Sequence, residues 1–183
     1  MEGKSVKATG IVRRIDELGR IVVPKEIRRT LRIREGDPLE VYTDREGEII
    51  LKKYSPVGEL SNFATQYTKV LSEMTGRLAC ICDKDHIIAA FGSGKKGLEN
   101  QPITQKMESV IEQRKDYSTR EQVSVVPIAE GVTTEHTSQV ISVVNVHGDA
   151  LGAVILLGDE AMTEMEETLV KTTAEFLGSI LQE

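Results

Sequence analysis

The chain has 183 residues, 39% hydrophobic and 28% charged, with a formal net charge of −6, three Phe, four Tyr and no Trp. This length suits a small module beside a medium one, and so few aromatics exclude base stacking as the main way of holding nucleic acid. No apolar run approaches the ~20 residues that span a bilayer, and the polar start MEGKSVKATG has no signal-peptide apolar stretch, so a cytoplasmic protein without membrane partners is expected.

The total charge conceals two opposite halves. Residues 1–53 hold thirteen Lys and Arg against ten Asp and Glu, whereas the remainder holds ten against nineteen. Within residues 4–34 the balance is ten basic to three acidic, the footprint of a surface that meets phosphates. A solvated charged face is the bland alternative, and spacing decides between them. In chain order, GIVRRI (10–15) and RIVV (20–23) read as strands joined by the turn DELG (16–19). Pro24 lacks an N–H and fixes φ, which ends a strand and suits the first turn of a helix, KEIRRTLR (25–32). At about 100° per residue, Ile27 and Leu31 share one face while Lys25, Arg28, Arg29 and Arg32 form a basic stripe on the other. Gly36, Asp37 and Pro38 mark a turn, and LEVYTD (39–44) and EIILKKY (48–54) form a second hairpin around REG. Some fifty residues of this kind bury too little apolar surface to stand alone, so a partner chain is expected to complete the core.

The run TGIVRRIDELGRIVVPKEIRRTL (9–31), followed by GDPLEVYTD and EIILKKY, closely resembles the DNA-binding module of AbrB-type transition-state regulators. The resemblance implies an all-β swapped-hairpin barrel with a short helix, residues 1–54, in which two chains exchange strands into one homodimeric unit on double-stranded DNA. It also implies the DNA-facing residues: Lys7, Arg13 and Arg14 of the first strand, Arg20 after the LG turn, and the helical pair Arg28 and Arg29. Arg13 and Arg14 are adjacent, so in a regular strand without a bulge only one faces DNA. Lys25 and Arg32 join the stripe by geometry rather than by the family pattern. Antitoxins of the MazE type share the hairpin architecture and supply the alternative, a protein-interaction module that binds DNA for autoregulation. Those chains typically continue as an acidic tail, whereas the residues that follow here are periodic and apolar enough to fold.

SPVGEL (55–60) reads as a joint. Beyond it, Leu60, Phe63, Tyr67, Val70 or Leu71, and Met74 recur at helical steps up to Thr75, and Gly76 stops the helix. LACIC (78–82) and IIAAFG (87–92) form a hairpin, and ITQKMESVIEQR (103–114) a helix after Pro102. VSVVPI (123–128), QVISVVNV (139–146) and LGAVILLG (151–158) are strands. A closing helix follows a Thr163-x-x-Glu166 capping box, with a broad apolar face of Met162, Met165, Leu169, Val170, Phe176, Leu177, Ile180 and Leu181. This is an α+β order with an antiparallel sheet, residues 55–183, and it resembles a GAF domain on the motif IxVV…GDALGAVILL. A basic AbrB-type module joined to a GAF-like domain resembles the sporulation regulators of spore-forming bacteria, activators and repressors of transcription. That resemblance implies a nucleoid-associated protein whose GAF-domain helices join further chains into a homotetramer.

Nothing assembles into a catalytic or metal centre, so no enzyme is expected. His86, His136 and His147 fall in turns or loops away from ligand spacing. Cys80 and Cys82 are expected on opposite faces of a strand, unbridged and acting as small buried hydrophobes in a reducing compartment. GSGKKG (92–97) lacks the order of a phosphate-binding loop and reads as a flexible connection. GAF-like domains often hold a small molecule, and here residues 92–101 and 130–137 would flank it. No cofactor is expected otherwise.

Overall fold

The computed structural model describes residues 9–120, 124–132 and 135–182. The chain divides into two units, Met1–Lys53 and Tyr54–Glu183.

In the first unit, helix α1 (Lys25–Thr30) is followed by strands β1 (Leu39–Thr43) and β2 (Ile49–Lys53), which pair antiparallel with Val41 opposite Leu51. Their turn is organised by Asp44, whose Oδ1 accepts from the amides of Glu46 and Glu48 at 3.0 and 2.9 Å. The expected first hairpin is present only as its turn. Gly19 N donates to the Asp16 carbonyl at 2.9 Å and Asp16 N to the Arg20 carbonyl at 3.1 Å, but residues 10–15 and 20–23 form no ladder with each other. The physical reason is the absence of a core. Among the described residues of this unit Pro24 is the one buried apolar side chain; Val12, Ile15, Leu18, Val22 and Leu31 are 57–84% exposed.

The helix α1 is also two residues shorter than its sequence pattern. Arg32 turns left-handed at φ 52°, and the chain ends the helix with Ile33 N donating to Arg28 O at 2.8 Å and Arg32 N to Arg29 O at 3.4 Å. This is a Schellman closure with arginine in the place glycine usually takes. Arg32 therefore leaves the helix and is half-buried, which corrects its expected place on the basic stripe.

The second unit opens with α2 (Pro56–Glu59), a helical turn where a joint was expected, because the Ser55 hydroxyl caps it by accepting from Gly58 N at 3.0 Å. Helix α3 (Ser61–Thr75) ends at Gly76, φ 68°. The sheet comprises β3 (Leu78–Asp83), β4 (Ile87–Phe91), β5 (Tyr117–Ser118), β6 (Ser138–Val146) and β7 (Asp149–Gly158), in the order β4-β3-β7-β6-β5 and antiparallel throughout. Helix α4 (Gln105–Gln113) lies between β4 and β5 in sequence, and α5 (Glu164–Ile180) closes the chain. Both sheet faces are covered, so strands read as continuous apolar runs. Leu78, Cys80, Cys82 and Ile155 look toward α4; Ala79, Ile81, Val154 and Leu156 look toward α3 and α5. Cys80 and Cys82 thus share one face, contrary to the expectation of opposite faces, because strand side chains alternate with a period of two. They are free thiols, and two residues of strand separate their Cβ atoms by about 6.6 Å, beyond disulfide reach.

The segment expected as strand 123–128 is not a strand. Among its described residues it is an extended strap whose Val126, Ile128 and Ala129 are buried under α4's side of the sheet. Side chains hold it where a ladder would. The buried Gln139 amide accepts from Val126 N at 2.8 Å and donates to Val126 O at 3.0 Å. Thr104 Oγ1, also the N-cap of α4, donates to the Pro127 carbonyl, and Tyr117 donates to that of Ser124.

Candidate nucleic-acid interface

The basic residues sit where local physics leaves them exposed. Pro24 stands before α1 with φ −59°, and the helix that follows carries Lys25, Arg28 and Arg29 with no buried residue of its own. Lys25 and Arg29 are exposed and Arg28 is half-buried. Arg13 and Arg14 lie on extended backbone ahead of the turn, both exposed; Arg13 Nη1 donates to its neighbour's carbonyl, Val12 O, at 3.2 Å. Among the described residues none of these five cations is paired with a carboxylate. Lys7 falls outside the described residues.

Arg20 differs. Its Nε donates to Asp16 Oδ2 at 2.7 Å, an exposed pair, while Asp16 Oδ1 accepts from the amides of Leu18 and Arg20 at 3.0 and 2.8 Å. Hydrogen bonds from the Arg20 amide and then its guanidinium hold the Asp16 carboxyl below its ordinary pKa. As turn chemistry alone, DELG does not predict this pair. The signal that was available is the spacing Asp-x-x-x-Arg across the turn.

A second, structural ion pair anchors the far side of this unit. Lys53 Nζ lies 3.0 Å from Asp37 Oδ2, which also accepts from Arg34 N at 2.8 Å. Burial opposes the Asp37 charge, but these donors outweigh it and lower its pKa. In the β1–β2 turn the exposed carboxylates of Asp44, Glu46 and Glu48 lie within 4.8 Å of one another, and Asp44 is engaged by the turn amides.

In the second unit the remaining candidates resolve into structural roles. Burial pushes the Cys80 thiol up to about 12 and the Cys82 thiol up as well, which keeps both protonated and unreactive. His136 Nδ1 lies 3.0 Å from Asp159 Oδ1 and its ring abuts Gly94 of the GSGKKG loop. Lys95 of that loop stacks over Phe91, 4.5 Å from the ring centroid. Of the residues expected to flank a ligand, 133 and 134 lie outside the described set, and Leu98 is buried in the core. A polar groove of about 380 Å3 lies elsewhere, between α5 and the β5–β6 edge, lined by Asp116, Ser118, Ser142, Glu167 and Lys171.

Comparison with known proteins gives the site its context. Residues 59–182 match the family described as stage V sporulation protein T C-terminal, transcription factor, and residues 12–59 match the family of antidote-toxin recognition MazE, bacterial antitoxin. Stage V sporulation protein T of Bacillus subtilis (strain 168) is 46% identical over 179 residues, 97% of this chain and 100% of the relative. The transition state regulatory protein AbrB of the same organism is 53% identical over 74 residues, 40% of this chain and 71% of the relative. In fold, the GAF domain from Acinetobacter phosphoenolpyruvate-protein phosphotransferase superposes with a TM-score of 0.54 at 12% identity, covering 71% of this chain and 84% of that one.

Proposed function

The chain belongs to the stage V sporulation protein T family of transcription factors, and on that premise we propose that residues 1–54 grip double-stranded DNA while residues 55–183 control assembly. Two chains complete the barrel core that one chain lacks, and Arg13, Arg14, Arg20, Arg28 and Arg29 of each, with Lys7, face the duplex. Lys25 adds phosphate contact from the start of α1; Arg32, outside the helix, contributes less. The observation that carries this reading is a set of cations without carboxylate partners among the described residues, the exposed Arg13, Arg14, Lys25 and Arg29 and the half-buried Arg28, on a unit whose one buried apolar side chain among the described residues is Pro24. Such a protein works on the nucleoid in the cytoplasm, as activator or repressor according to the site it occupies.

The decisive experiment is a binding titration with the intact chain and its Arg28→Ala/Arg29→Ala variant. The variant loses all measurable DNA binding while its melting temperature stays near the parent's, since exposed substitutions cost within about 0.5 kcal/mol. Retained affinity removes the arginines from the interface. If about eight phosphates are neutralised per dimer, log K falls with log salt at a slope of about −7.

Control by assembly is supported by apolar side chains that α3 and α5 leave half-buried, Phe63 and Tyr67, or exposed. Phe63, Tyr67 and Phe176 cluster with ring centroids 5.2–6.1 Å apart, and Val70, Met74 and Met165 are 49–73% exposed on α3 and α5. These two helices joining further chains would turn a barrel-linked dimer into a homotetramer. Sensing of a small molecule by the GAF-like unit is tested by thermal-shift screening with nucleotides, amino acids and metabolites; a raised melting temperature identifies a ligand.

The MazE match favours one alternative, an antitoxin-like module that binds a toxin and uses DNA for autoregulation. It requires a toxin partner that co-purifies with the chain, and its absence leaves the regulator. The well-packed second unit favours the regulator, since an unfolded acidic tail has no such core.

A further inference from the structure

Asp16 is not among the residues assigned to DNA, yet its carboxylate takes three hydrogen bonds around the turn, two from the amides of Leu18 and Arg20 and one from Arg20 Nε. Its backbone brackets the same turn, donating to Arg20 O at 3.1 Å and accepting from Gly19 N at 2.9 Å. Arg20 is thereby held at both main chain and side chain. With side chains 70% and 41% exposed, the ion pair itself adds little to stability, so its consequence is geometric and electrostatic. Contact at Nε sets the plane of the guanidinium and leaves Nη1 and Nη2 without a partner among the described residues. That outer edge is the one that makes two parallel hydrogen bonds to guanine O6 and N7. An unrestrained arginine at the same place is satisfied by any phosphate oxygen. One bound to a carboxylate presents no net charge at a distance and so gains little from phosphates in general.

Resting on the reading that Arg20 faces DNA, we infer that Asp16 is a specificity-determining positioning residue. It holds Arg20 as a reader of base edges and withholds its charge from non-specific phosphate binding.

The test uses the intact chain and two duplexes, one recovered by selection from a random pool with the parent protein and one of the same length and composition with scrambled order. Asp16→Asn keeps an oxygen to accept from the Leu18 and Arg20 amides but removes the charge and the Nε acceptor. The ratio of selected to scrambled affinity is expected to fall on the order of tenfold. The salt slope on the scrambled duplex is expected to steepen by about 1 to 2 as Arg20 of each chain becomes free for phosphates. Asp16→Glu keeps the charge but alters the reach, so it holds the parental salt slope while losing part of the ratio. Parental ratio and slope in Asp16→Asn overturn the inference. Arg20→Ala separates this failure from that of the underlying reading: if it binds both duplexes like the parent, Arg20 does not meet DNA. The double variant Asp16→Asn/Arg20→Ala is expected to match Arg20→Ala alone, and additive losses count against the coupling.

Discussion

Arg77, just ahead of β3, reaches the first turn of α5, where its Nε donates to Glu166 Oε1 at 2.7 Å and its terminal nitrogens donate to the carbonyls of Glu160 and Ala161. Both side chains are about nine-tenths buried, and Glu166 Oε2 accepts from Thr163 N at 2.7 Å in the capping box. Burial opposes the Glu166 charge, but the guanidinium and the cap outweigh it and lower its pKa. Glu166→Gln keeps an oxygen for the capping box but removes the charge and the acceptor that Arg77 Nε uses, leaving Arg77 buried with two carbonyls. The expected cost is about 3 kcal/mol, on the order of 10 °C in melting temperature by calorimetry. Because the folded-state pKa lies below the unfolded value, the parent holds this stability above the ordinary Glu range and loses it as pH falls through the folded pKa. The gap between parent and variant therefore narrows in acid, and a gap constant with pH excludes the charge as its source. Gly152 makes a second demand at this scale. A Cβ there would lie 2.1 Å from the Cys82 carbonyl, so Gly152→Ala must part β3 from β7 and is expected to lower stability by about 1–3 kcal/mol in chemical denaturation.

At the scale of the element, α3 presents an instructive departure. Of the apolar stripe legible in its sequence, Leu60, Phe63, Tyr67, Val70 or Leu71, and Met74, Leu71 faces the sheet beside Ala64, Thr68 and Ser72, Leu60, Phe63 and Tyr67 are half-buried against the same core, and Val70 and Met74 stay exposed. Small side chains let the helix approach closely, and Thr68 satisfies its hydroxyl on Ala64 O at 2.9 Å. Helix α5 divides likewise, with Val170, Ala174, Leu177 and Gly178 inside and Met165 and Phe176 outside. Periodicity shows that an apolar face exists but not which neighbour it meets. A charge on the outer stripe, Phe176→Glu, is expected to reduce a tetramer to a dimer in sedimentation while the unit stays folded. The 124–130 strap teaches the complementary lesson: VSVVPI has strand composition, but Val126 is held by the Gln139 amide, and among the described residues the main chain pairs only at the bridge of Ile103 with Ala129. Gln139→Leu is expected to speed hydrogen exchange at Val126 far more than within β6 and β7. Equal acceleration everywhere makes the amide a general stabiliser instead.

Over the whole molecule, two units solve the burial problem differently. The second encloses a sheet between two apolar layers. The first leaves Val12, Ile15, Leu18 and Val22 in solvent and has its first ribbon unpaired. If a second chain completes it, its stability depends on protein concentration. Two thermal transitions are expected for the intact chain, of which the one assigned to the basic unit rises with protein concentration while the other stays fixed. A concentration-independent pair of transitions shows that the basic unit folds alone.

From its residues alone the chain declared a basic module ahead of an acidic α+β unit, the second hairpin, every helix but the short α2, and most strands, because these rest on periodicity, turn chemistry and local charge. Proximity across the fold decided the rest. The shared face of Cys80 and Cys82 follows from the strand period of two and was legible in the sequence, whereas the early end of α1 needed the left-handed backbone of Arg32 and the burial of Gln139 needed the strap it holds. The capture of Arg20 by Asp16 emerged only when the turn closed and brought carboxylate and guanidinium to 2.7 Å. Contacts made through space leave no period in a sequence.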